Sequence, residues 1–164
     1  MDGVIVRAMA IAPSSAEVAE QMLGCFKRMS RLVDTELGAC GLSLSRSKLL
    51  SQLGREGPQQ QGALASVFGL APRTVTELID TLERDGLVER RTDPADRRAR
   101  QVHLTPAGEQ ARARGAQIRQ QVLDRVMGAL SDEQRSHFAE VIAVIGAEVD
   151  KIDAEPGSVA GKCP

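Results

Sequence analysis

The chain has no tryptophan, no tyrosine and only three phenylalanines among its 164 residues. Its core must therefore be aliphatic, built from Leu, Val, Ile, Ala and Met. A charge excess is also missing. The formal net charge is −1, which on composition alone counts against a nucleic-acid binder. The three cysteines, Cys25, Cys40 and Cys163, form neither a metal-ligand spacing nor an even disulfide set. They fit a reducing cytosol, so the expected location is cytoplasmic. His103 and His137 lie too far apart, without neighbouring cysteines or acids at metal spacing, to suggest zinc. The N-terminal MDGVIVRAMAIAP begins with an acid and lacks a basic segment, a long apolar run and a cleavage site, so no signal peptide is expected. No apolar run reaches membrane-spanning length. Nucleophile motifs, phosphate-binding glycine loops and paired catalytic carboxylates are all missing. An enzyme is therefore not expected, nor is any cofactor or metal.

What is present centres on Leu64–Thr105. Leu64, Ala65 and Phe68 recur at helical spacing, and Gly69 suits the left-handed end of a helix. Pro72 fits the first turn of the next helix. Val75, Leu78, Ile79 and Leu82 then mark one buried face. Arg73, Thr74, Thr76, Glu77, Asp80 and Thr81 fall elsewhere, and Gly86 closes the helix. The period then changes. Leu87–Arg91 and Gln101–Thr105 read as strands, joined by the polar turn segment TDPADRRA. Helix, turn, helix and hairpin make a winged helix-turn-helix. Its second helix suits a major groove, and the arginines of the hairpin tip suit phosphates or a narrow minor groove.

The segment resembles the multiple-antibiotic-resistance regulator (MarR) family. The resemblance rests on Asp93-Pro94-Ala95-Asp96-Arg97-Arg98-Ala99-Arg100, followed by Val102, Leu104-Thr105 and Gly108. It extends back over Thr74-Val75-Thr76, Leu78-Ile79-Asp80, Leu82-Glu83, Gly86-Leu87-Val88 and Arg90. It covers roughly Ser14 to Asp153. Such a resemblance implies a homodimeric transcriptional regulator that leaves its DNA when a small ligand or an oxidant acts on it. Gln60 and Ala71 depart from the family, which has capping Thr or Ser at these two helix starts. An uncapped start loses about 1 kcal/mol.

The expected fold is mainly α with a small β-hairpin wing: a winged helix-turn-helix plus terminal dimerisation helices. Residues 1–13 read as an N-terminal arm. Residues 14–37 and 105–153 read as the dimerisation region, 43–104 as the DNA-binding lobe and 154–164 as a flexible tail. Ser14-x-x-Glu17 and Ser131-x-x-Gln134 are capping boxes, and Ser43 caps a second helix. Gly54–Pro58 is expected to turn. Val18, Met22, Cys25, Phe26, Met29, Leu32, Val33 and Leu37 form a stripe on the first helix. Ile118, Val122, Val126 and Leu130 form a second stripe. Phe138, Val141, Ile142, Ile145, Val149 and Ile152 form a third. One lobe of this size cannot cover all three, whereas a second copy related by a two-fold would. A dimer would set two recognition helices about 34 Å apart, on a pseudo-palindromic duplex.

The expected DNA contacts are Arg73, Thr74, Thr76, Glu77, Arg90, Asp96, Arg97, Arg98 and Arg100. By the resemblance, Arg98 is the wing arginine that enters the minor groove, held by Asp96 through a carboxylate–guanidinium pair. The competing reading is a solvated surface pair worth under about 1 kcal/mol. Glu77, Asp80, Glu83 and Asp85 make the recognition helix acidic, which opposes DNA wherever no base contact compensates. That leaves an alternative, a protein–protein adaptor without specific DNA binding. Cys25-Phe26 is superficially similar to the reactive cysteine of peroxide-sensing relatives, so a Cys25-based redox regulator is a further alternative. Those relatives use tyrosine hydroxyls, which this chain lacks, and a small buried core residue is the bland reading. His103 alternates with Val102 and Leu104, so it is expected to face solvent or DNA. A small effector, in the family often an aromatic acid, could meet Arg28, Arg31 or Arg46, although long arginines on helices are usually solvated.

Overall fold

Local sequence sets the helix boundaries. The computed structural model describes residues 12–92 and 99–155. Helix α1 (Ser15–Gly38) starts at a capping box in which the Ser14 hydroxyl accepts from the Glu17 N–H and the Glu17 carboxylate accepts from the Ser14 N–H. Helix α2 (Leu44–Glu56) is capped by Ser43. It runs through the expected turn at Gly54 and stops only at Gly57, whose φ of 79° an L side chain rarely adopts. A two-residue strand β1 (Gln59–Gln60) follows, then α3 (Gln61–Phe68) and α4 (Pro72–Arg84). Gly69 between them is left-handed, as expected. Strands β2 (Val88–Thr92) and β3 (Arg100–Leu104) form the wing, and α5 (Pro106–Met127) and α6 (Asp132–Ala154) complete the order. Ser131 and Gln134 make the second expected capping box.

The sheet has the order β1-β3-β2 and is antiparallel throughout. The hairpin was legible in the sequence, but β1 was not, because two residues carry no period. It makes β3 the central strand. His103, expected to face solvent or DNA, is instead half-buried, and its Nε2 is shielded without a hydrogen-bond partner.

The chain divides into two compact units, with the division after Arg119 inside α5. In the first unit the core is aliphatic, as the composition requires. Leu37, Leu49, Leu50, Leu64, Val75, Ile79, Leu82, Val88 and Val102 are fully enclosed, while Phe26 is exposed and Phe68 half-buried. The start of α5 packs through small residues. A Cβ on Gly108 would lie 1.9 Å from the Leu87 carbonyl oxygen, and one on Gly115 would lie 2.8 Å from Ser47 Oγ. Ala111, between them in the same stripe, is buried. In the second unit, α6 buries none of its side chains. Phe138, Val141, Ile142, Ile145, Val149 and Ile152 are all exposed. Among the described residues no helix is long and apolar enough to cross a membrane.

Candidate nucleic-acid interface

Helix α4 packs against α2, α3 and β2. Val75, Ile79 and Leu82 anchor one face in the core, which turns Arg73, Thr74 and Glu77 outward as exposed residues. Thr76 is half-buried. Ala71 supplies no side-chain cap, and Pro72 occupies the first turn, so α4 starts as the sequence led one to expect. The αL Gly86 (φ 70°) ends it and leads into the wing.

The acidity of α4 proves to be balanced residue by residue. Arg73 Nε donates to Glu77 Oε1 at 3.0 Å along the exposed face. Arg46, on α2, pairs with Asp85 at the C-terminal end and also donates to the Gly41 carbonyl at 3.1 Å. Arg90, on β2, pairs with both Asp80, at 2.5 Å, and Glu83. The Arg90 backbone N–H donates to Glu83 as well, at 3.0 Å. Burial works against the charge on Arg90, but the hydrogen bonds to Asp80 and Glu83, and their charges, outweigh it. Its pKa is therefore raised above the ordinary arginine value. The four carboxylates thus do not present a bare negative face.

These ties redistribute the expected contacts. Arg90 is only 15% exposed and is held between two carboxylates, so its place in the fold is to lock the wing onto α4. Thr76 is also engaged: its hydroxyl donates to the Pro72 carbonyl and accepts from Gln61. Arg73 and Thr74 remain at the surface. Arg100 is exposed and lies opposite Thr92 at the outer end of the hairpin. Asp96, Arg97 and Arg98 lie outside the described residues, as does Cys163. Arg46, considered for an effector carboxylate, is occupied by Asp85, whereas Arg28 and Arg31 are exposed on α1. Cys25 is exposed on α1 and is not part of this chain's core. Among the described residues no group of His, Cys, Asp and Glu is arranged to hold a metal. Sequence spacing did not reveal Gln61, nor the pairing of Arg46 with Asp85. Their partners lie 15 and 39 residues away, beyond any helical or strand period.

Residues 42–99 match the model of the MarR family. The chain is 36% identical over 99 residues to the HTH-type transcriptional regulator YsmB of Bacillus subtilis, covering 60% of this chain and 63% of that protein. It thus spans slightly less than two thirds of that relative's length. It is 26% identical over 140 residues to the HTH-type transcriptional regulator YdgJ of the same organism, covering 85% and 83% of the two chains. Among solved structures, a MarR family protein from Bacillus stearothermophilus superposes with a TM-score of 0.73 at 25% identity, covering 82% of this chain and 94% of that one. Apo wild-type MarR from E. coli superposes with a TM-score of 0.72 at 19% identity, covering 82% and 97%.

Proposed function

We propose that this chain, whose residues 42–99 match the model of the MarR family, is a homodimeric transcriptional regulator of that family that binds a pseudo-palindromic operator in double-stranded DNA. The observation that carries the reading is the state of α4. Its outer face offers Arg73 and Thr74, and Asp80, Glu83 and Asp85 are each tied to an arginine from another element. A free acidic helix would have favoured the adaptor. An acidic helix whose charges are used to fix its own orientation is compatible with a duplex.

The wing adds the electrostatic component. Exposed Arg91 and Arg100 flank Asp93–Arg98, and Asp96, Arg97 and Arg98 complete the proposed phosphate and minor-groove contacts. The exposed apolar face of α6, together with Val18, Leu23 and Phe26 on α1, supports a homodimer through the terminal helices. Residues 14–37 and 105–153 are the proposed dimerisation region and 43–104 the DNA-binding lobe. We read the protein as a cytoplasmic repressor, released by a small effector for which Arg28 and Arg31 are available as carboxylate partners.

Selection of bound duplexes from genomic fragments tests the reading. One recurring inverted-repeat sequence is expected, with retention on DNA that falls as salt rises. Enrichment of no sequence, with no retention on duplex DNA at low salt, would return the adaptor as the better reading.

A further inference from the structure

A side-chain hydrogen bond joins Gln61 of α3 to Thr76 of α4. Gln61 is the first residue of α3, beside Gln60, which makes no side-chain capping bond. Its Nε2 donates to Thr76 Oγ1 at 2.5 Å. An amide nitrogen has only donors, so the hydroxyl must accept there. Its single proton therefore goes to the Pro72 carbonyl, 2.9 Å away. What remains to Thr76 is one acceptor lone pair and a methyl group.

We propose that Gln61 is a positioning residue that restricts what Thr76 can read in the major groove. The inference rests on the DNA-binding reading above. With its proton committed, Thr76 suits a thymine methyl or the amino group of adenine or cytosine. Guanine presents only the O6 and N7 acceptors of its edge in that groove, and a phosphate oxygen is likewise an acceptor. Thr76 therefore refuses both. Without Gln61 the hydroxyl is free to turn, and it regains the ability to donate.

The test compares duplexes of about 20 base pairs, selected from a random pool by the wild-type protein, with single-base variants of them. Full chains carrying Gln61→Met, Thr76→Val, Thr76→Ser and the double change Gln61→Met with Thr76→Val are titrated alongside. Melting curves confirm that each is folded. Wild-type protein is expected to discriminate against guanine at one position of each half-site by about tenfold. In Gln61→Met that discrimination falls to about threefold or less, with the salt dependence unchanged. Thr76→Val has no hydroxyl to turn, so adding Gln61→Met to it changes nothing further. Thr76→Ser retains the response to Gln61→Met but loses sensitivity to replacement of thymine by deoxyuridine. Equal base preference in wild type and Gln61→Met, or a uniform loss on all sequences, overturns the inference alone. Failure of the wild type to enrich any duplex overturns the DNA-binding reading and this inference with it.

Discussion

At the residue scale, two glycines separate rigid from adjustable packing. The Cβ of Gly108→Ala would sit 1.9 Å from the carbonyl oxygen of Leu87. That oxygen belongs to the backbone at the root of the wing and accepts from the Thr105 N–H, so it cannot step aside alone. Gly108→Ala is expected to cost about 3 kcal/mol, near the upper end of the usual overpacking penalty. The Cβ of Gly115→Ala would meet the Ser47 hydroxyl at 2.8 Å, and a serine rotor can turn. Its cost should be smaller, near 1 kcal/mol. Urea unfolding of both variants checks the order, and equal losses would contradict it. Glu17 gives a prediction of a different kind. The Ser14 backbone N–H, and then its hydroxyl, hold the Glu17 carboxyl below the usual glutamate range. Its folded pKa is therefore lower than its unfolded one. The contribution is present above the unfolded value and is lost as pH falls through the folded value. Glu17→Gln should flatten the acid limb of the stability profile below the ordinary glutamate pKa and leave the neutral plateau's slope unchanged. An acid limb identical to that of the wild type would contradict it.

At the element scale, the wing and α4 behave as one piece because Arg90 joins them. Arg90→Lys keeps the charge but loses the planar fork that reaches Asp80 and Glu83 together. It should cost about 1–2 kcal/mol, discounted for the partial exposure of the two carboxylates, and should raise amide exchange in β2. Wild-type exchange there would show that the hairpin is held without the clamp. This clamp also shows what a sequence reveals and what it hides. Ser14, Ser43 and Ser131 were legible as caps because donor and acceptor lie three residues apart. The buried stripe Val75, Ile79 and Leu82 was legible because a helix repeats its face at a fixed interval. The acidic residues of α4 were visible too, yet they read as a liability toward DNA. Their partners Arg46 and Arg90 arrive from α2 and β2, and only the closed fold brings them near. Likewise, Gly54 looked like a turn although α2 continues through it to Gly57. Helical neighbours outweigh the modest cost of one glycine.

At the scale of the whole molecule, the terminal helices bear on assembly and the wing on DNA. The exposed apolar residues of α6 are too continuous for a solvated helix, and they motivate the dimer. A chain ending at Leu130 should be monomeric or insoluble, as read by light scattering. A well-folded, DNA-binding monomer would defeat that reading. The DNA prediction follows from counting the proposed phosphate contacts, among which Arg73 stays because its pair with Glu77 is solvent-exposed. Arg90 leaves the set of phosphate contacts because Asp80 and Glu83 already hold it. Arg73, Arg97, Arg98 and Arg100 remain as the proposed contacts. A dimer then neutralises about eight phosphates, so log K should fall with log salt at a slope near −7. Arg98→Ala removes one contact from each half-site and should flatten the slope by about 2. Arg90→Ala removes the same charge but no contact. It should lower stability while leaving the slope within experimental scatter of the wild type. Asp96→Ala discriminates further. If Asp96 orients Arg98, its loss weakens binding, although simple charge counting predicts tighter binding from a less acidic tip. The three variants are titrated on one operator at several salt concentrations. Should Arg90→Ala flatten the slope as much as Arg98→Ala, the β2 arginine is a DNA contact after all. Should Asp96→Ala bind more tightly, the wing acts by net charge rather than by a held arginine.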